Sequence, residues 1–128
     1  KETDLPFPHI PPSFGKTALY ADFDSWRGSL FVLYNGRKSK EDYDLESGTD
    51  NLEESPIVWA QSQEGNWIKE YQGTPSWYTI NMSASSRLSE RIHLQMAIEN
   101  IFDHHYKTFS SGISAPGRNF ILTIKASL

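Results

Sequence analysis

At 128 residues the chain is long enough for one domain, and its formal charge of −4 gives no reason to expect a nucleic-acid partner. It has no cysteine, which excludes a disulfide scaffold and thiolate metal sites. No apolar run approaches the roughly 20 residues of a spanning helix, so a helical membrane protein is excluded, whereas a β-barrel is not, because alternating strands keep hydropathy low.

Period-two alternation organises the chain. Thr17–Phe23 and Trp26–Tyr34 read as two strands joined by a tight turn at Asp24–Ser25. The stretch 35–76 follows as a long loop. It carries four Lys/Arg against nine Asp/Glu, while the rest of the chain carries eight against seven, so the whole imbalance lies there. Such a charge run reads first as a solvated loop. A third strand over 77–86 sets Tyr78, Ile80, Met82 and Ala84 against Thr79, Asn81, Ser83 and Ser85. A fourth over 92–101 sets Ile92, Leu94, Met96 and Ile98 against His93, Gln95, Ala97 and Glu99. After a second long loop, 102–118, the strand 119–128 places Phe120, Leu122, Ile124, Ala126 and Leu128 on one parity.

Each pattern gives one apolar and one polar face, because successive strand side chains point to opposite sides. Asp22, Arg27, Glu99 and Lys125 all fall on the less apolar parity, although Phe31, Leu33, Ile101 and Ile121 share it. The fold class expected is therefore all-β, an antiparallel up-and-down meander of about five strands. A one-sided soluble sheet would alternate in the same way. The connections are more telling: short turns alternate with long loops, which is the habit of outer-membrane barrels. Phe23 and Trp26 flank the first turn. Tyr34, Trp77, Tyr78, Phe102 and Phe120 gather at the strand ends beside the long loops, as aromatic girdles would.

Several motifs point to a family. Ile10–Pro11–Pro12 precedes a strand, Asn35–Gly36 follows one, and Thr74–Pro75–Ser76–Trp77 opens another that continues Tyr78–Thr79–Ile80–Asn81. Then come Glu99–Asn100–Ile101–Phe102–Asp103–His104–His105–Tyr106 and Ala115–Pro116–Gly117–Arg118–Asn119–Phe120. Together they resemble the C-terminal part of a TonB-dependent outer-membrane receptor of the Bacteroidetes type, and the resemblance covers nearly the whole chain. It implies that residues 1–128 are the last part of a transmembrane barrel of the roughly 22-stranded, plugged class. It also implies import of a scarce nutrient: siderophore-iron, haem, cobalamin or a glycan. Energy would come from the TonB complex through an N-terminal region, in the outer membrane of a Gram-negative bacterium. The implied partners are the remaining barrel and plug, outer-membrane lipid and a small-molecule or glycan ligand. The last strand would close the barrel and the two long loops would face outward. Leu128 departs from the aromatic last residue usual in such barrels. An isolated five-stranded piece would stay an open sheet or associate edge to edge.

The resemblance makes Asn100, Phe102, Asp103, Tyr106, Pro116, Gly117, Arg118, Asn119 and Phe120 structural motif residues. Arg118 is expected to pair with a carboxylate in the barrel wall or rim, and Glu99 is a candidate by parity and position. Trp59, Trp67 and Tyr71 are candidate ligand contacts, or else the apolar cluster that holds a long loop together. Asp42, Asp44, Glu46 and Glu53 space their carboxylates in an echo of a calcium loop, but Ser47 stands where that loop needs glycine. His104 and His105 would point to opposite faces of an extended segment, which argues against a shared ion. No nucleophile motif stands out, so neither an enzyme nor a cofactor is expected. The rival reading is a soluble all-β glycan-binding module.

Overall fold

The computed structural model describes residues 7, 9–44, 55 and 57–127. Among the described residues nine strands form in chain order: β1 (Phe14–Asp22), β2 (Trp26–Asn35), β3 (Lys38–Ser39), β4 (Ile57–Gln61), β5 (Trp67–Tyr71), β6 (Gly73–Thr74), β7 (Trp77–Arg87), β8 (Ile92–Glu99) and β9 (Asn119–Ala126). A 3-10 turn covers Lys40–Asp42. The chain divides into two compact units: Gly15–Tyr34 with Tyr78–His105 and Pro116–Leu128, and Lys1–Phe14 with Asn35–Trp77 and Tyr106–Ala115.

The first unit holds the five-stranded antiparallel sheet β1-β2-β7-β8-β9. Apart from the long connection between β2 and β7, neighbours in sequence are neighbours in space, as in a meander. The tight turn closes with the Phe23 N–H donating to the Trp26 carbonyl at 2.9 Å, and the two rings stack at 4.2 Å. Gly15, a breaker by sequence, lies inside β1. A Cβ there would meet the Tyr34 hydroxyl at 2.5 Å, so the aromatic ring covers the bare backbone of the neighbouring strand.

The register sorts the side chains into two faces. Met82, Ile98 and Phe120 form one cross-strand row, Ala84, Met96 and Leu122 a second, and Ser86, Leu94 and Ile124 a third. The other face carries Ser83, Ala97 and Ile121, then Ser85, Gln95 and Thr123, then Arg87, His93 and Lys125. Ser29 joins this polar face through its hydroxyl, 2.8 Å from that of Ser83. Arg27 pairs with Asp22 there as well. Phe31 broke the alternation by sequence; it sits on the polar face with the Lys16 ammonium 4.2 Å over its ring. The apolar face is bare: Leu122 is 65% and Ile124 64% exposed. Among the described residues Tyr43 is the one buried hydrophobic, so no core lies behind the sheet.

The second unit gives structure to much of the segment expected as a plain loop. β3 pairs with β6 and β4 with β5, both antiparallel. Gly73 opposes Ser39 at φ +84, and a Cβ there would collide with the Lys38 carbonyl. Only glycine meets both demands without strain. Tyr43 donates or accepts a 2.7 Å bond with Thr74 through their hydroxyls. The Lys38 ammonium lies over the rings of Tyr43 and Phe109, at 4.4 and 4.6 Å, and donates to the Ile10 carbonyl at 2.9 Å. Burying this ammonium is tolerable because π faces and a carbonyl replace its water.

Candidate functional site

The motif residues meet in a polar clasp at the stems of the second long connection. β8 ends at Glu99, two residues earlier than alternation suggested, because Asn100 turns to φ +49. Asparagine tolerates this left-handed backbone and its short amide bonds locally. Its Oδ1 accepts from the His104 N–H and its Nδ2 donates to the His104 carbonyl, both at 2.8 Å. Nδ2 also reaches the Pro116 carbonyl at 3.4 Å. The Asn100 N–H donates to Asn81 Oδ1 at 2.9 Å, and Asn81 Nδ2 in turn donates to Thr79 Oγ1 at 3.1 Å. All three of these polar residues are buried. Their mutual bonds remove the cost of that burial.

Asp103, also left-handed at φ +56, closes a turn by donating its N–H to the Asn100 carbonyl at 2.8 Å. Its carboxylate accepts from the Arg118 N–H at 2.7 Å. A Cβ on Gly117 would strike that carboxylate and displace it from the Arg118 N–H. The Arg118 guanidinium does not take Glu99, the candidate that parity offered. Nε donates to the Ile101 carbonyl at 2.8 Å, and Glu99 instead accepts from Asn119 Nδ2 at 3.3 Å. The backbone carbonyl lies nearer once Asn100 has turned the chain. Phe102 and Phe120 are exposed, at 66% and 70%. Tyr106, in the other unit, packs its ring 4.1 Å from that of Trp77. The His104 ring lies 5.9 Å from Tyr78. What this arrangement does chemically is hold two chain stems together.

The ligand-contact candidates fall on one hairpin. β4 and β5 pair Ile57 with Tyr71, Trp59 with Lys69 and Gln61 with Trp67. Residues directly opposite share a face, so Trp59, Trp67 and Tyr71 lie together on one side. Trp59 is 62% and Trp67 65% exposed. They are an open aromatic face rather than a closed cluster, and the Lys69 ammonium sits 5.7 Å from the Trp59 centroid. Glu70, at an alternate position, accepts from Lys40 Nζ at 2.9 Å. That hydrogen bond, then the charge of Lys40 and a further bond from Gln72, hold the Glu70 carboxyl below the usual carboxylate range.

Of the calcium-loop candidates, Asp42 turns its carboxylate back to the Ser39 N–H at 3.1 Å, as a cap of the 3-10 turn. Asp44 is buried. Glu46 and Glu53 lie outside the described residues. Among the described residues no three His, Asp or Glu side chains gather as a metal site.

No family model and no curated protein matches the chain. Among solved structures it follows the copper transporter OprC over 98% of its length, with a TM-score of 0.68 and 18% identity. The fold is shared with that transporter. The chain spans 18% of the OprC chain, so it corresponds to a part of such a structure. OprC bears the name of a transporter and not of an enzyme.

Sequence reading missed the β4–β5 hairpin, although Ile57, Val58 and Trp59 and then Trp67 and Ile68 are good strand residues around Gly65, at φ +81. The acidic charges on either side outweighed that signal. The partners of Asn81 and Asn100 carried no sequence signal, since nothing local says which polar side chains will meet.

Proposed function

We propose that the chain is the C-terminal wall of an outer-membrane importer of the TonB-dependent, Bacteroidetes-type kind. In this reading residues 1–128 close the barrel and supply two outer loops, 35–76 and 102–118. The observation that carries the reading is the bare apolar face of the five-stranded sheet, opposite a polar one. In water such a face requires a covering layer, and among the described residues Tyr43, the one buried hydrophobic, does not make a core. This also argues against a soluble glycan-binding sandwich. Aromatics rim the face at both ends, Phe23 and Trp26 at one, Tyr34, Tyr78 and Phe120 at the other. From Trp26 to Tyr34 the strand rises about 26 Å at about 3.3 Å per residue. Tilted by about 40°, that is about 20 Å of height, close to the roughly 25 Å apolar band of such barrels.

The lipid-facing residues are then Met82, Met96 and Leu122, and the polar face lines the lumen. The remaining barrel and plug, and through them the TonB complex, are the partners. The cargo is a scarce nutrient such as an iron chelate, haem, cobalamin or a glycan. Copper, which the OprC name states for that protein, joins this set as a metal cargo. Trp59, Trp67 and Tyr71 are its contacts on the outer loop.

Spin labels test the wall. Placed at Met82, Met96 and Leu122 in lipid bicelles, they should collide with dissolved oxygen and be shielded from a polar nickel chelate. Labels at Ser83, Gln95 and Thr123 should show the reverse. Equal accessibility of the two sets, or a chain monodisperse in buffer without detergent, refutes the proposal.

A further inference from the structure

At the short-turn end of the polar face the register sets Arg87 opposite His93, and His93 opposite Lys125. All three are exposed. Basic groups placed side by side across a sheet weaken it, and here no carboxylate shares their row. Among the described residues none of the three pairs with an acid. They line an open cavity of about 570 Å³ whose other charged groups are Asp22, Asp24 and Arg27. Asp22 is engaged by Arg27. That leaves the single carboxylate of Asp24 beside two permanent cations and an imidazole.

We infer that this row docks an acidic polypeptide segment, one that presents at least two carboxylates to Arg87 and Lys125. The inference rests on the barrel reading, in which the polar face looks into the lumen. Two ladder spacings of about 4.8 Å separate the outer cations, about 10 Å in all. Alternate residues of an extended chain stand about 7 Å apart, so two long acidic side chains can span the row. A lipid headgroup does not suit it, because the row points away from the apolar face. The fraction of the OprC chain that this chain matches, 18%, leaves ample polypeptide in a complete protein to supply such a segment.

The test uses the full 128-residue chain in zwitterionic micelles at low ionic strength, titrated with hexaglutamate and followed by amide and side-chain NMR. Shifts should concentrate at Arg87, His93 and Lys125 and vanish in high salt. The Arg87→Gln, Lys125→Gln double variant should bind about tenfold more weakly, the sum of two exposed ion pairs. Arg87→Lys with Lys125→Arg should bind as the parent does, which controls for folding. Absence of binding, equal affinity of the glutamine variant, shifts confined to other residues, or inorganic phosphate binding as tightly as the peptide would each overturn the inference. The spin-label result is independent of this one, so the wall can stand while the docking row fails.

Discussion

Replacing Asn100 should cost more than any other single change in the stems of the second loop. Asn100→Ala removes the two 2.8 Å bonds to His104. At about 1 kcal/mol net each, that is about 2 kcal/mol. Alanine must also hold φ +49, which costs about 1 kcal/mol more. The expected total is about 3 kcal/mol. Asn100→Gly loses the same bonds but adopts the left-handed backbone freely, so about 2 kcal/mol should remain. Urea unfolding of the chain in micelles, followed by tryptophan fluorescence, measures both. If the alanine variant lies within about 0.5 kcal/mol of the parent, the side-chain bonds do not hold the stems. If glycine is as harmful as alanine, the backbone part of the reasoning fails.

Gly73→Ala should open the β3–β6 pair, since the new methyl meets the Lys38 carbonyl and the backbone sits at φ +84. Strain of about 1–3 kcal/mol is expected, and unchanged hydrogen-exchange protection at Thr74 would refute it. The Glu70 carboxyl, held low by Lys40, should titrate at higher pH in Lys40→Gln. Because the folded value is the lower one, the contact stabilises above the ordinary carboxylate range and is lost as pH falls through the depressed value. Equal NMR midpoints in the two proteins would show that Lys40 is not the cause.

The five-stranded meander was legible because one face of each strand is apolar, and alternation records that directly. At two positions that break the pattern a particular contact accounts for it. Phe31 sits on the polar face under the Lys16 ammonium, and Gly15 continues a strand because Tyr34 covers it. The end of β8 was misjudged because Ile101 keeps the apolar rhythm while Asn100 has already turned the backbone. The clasp lay beyond sequence reading for another reason. The resemblance marked Asn100, Asp103 and Arg118 as structural, but their partners, Asn81 among them, follow only from the three-dimensional meeting. The hairpin aromatics were visible as residues, but their common face follows from the pairing of Trp59 with Lys69 and Gln61 with Trp67.

The clasp also decides how freely this part of the chain can change. With Asn100 bonded to His104 and Pro116, and Asp103 to Arg118, the stems are held from within, whatever the intervening residues do. Closing a flexible loop grows costlier only slowly with its length, by about 0.6 kcal/mol per doubling. Insertions between Lys107 and Ser114 would therefore leave the pairing of β8 with β9 intact. Tolerance to change is thereby separated from the sheet, because the bonds that fix the stems lie outside the residues that would be altered.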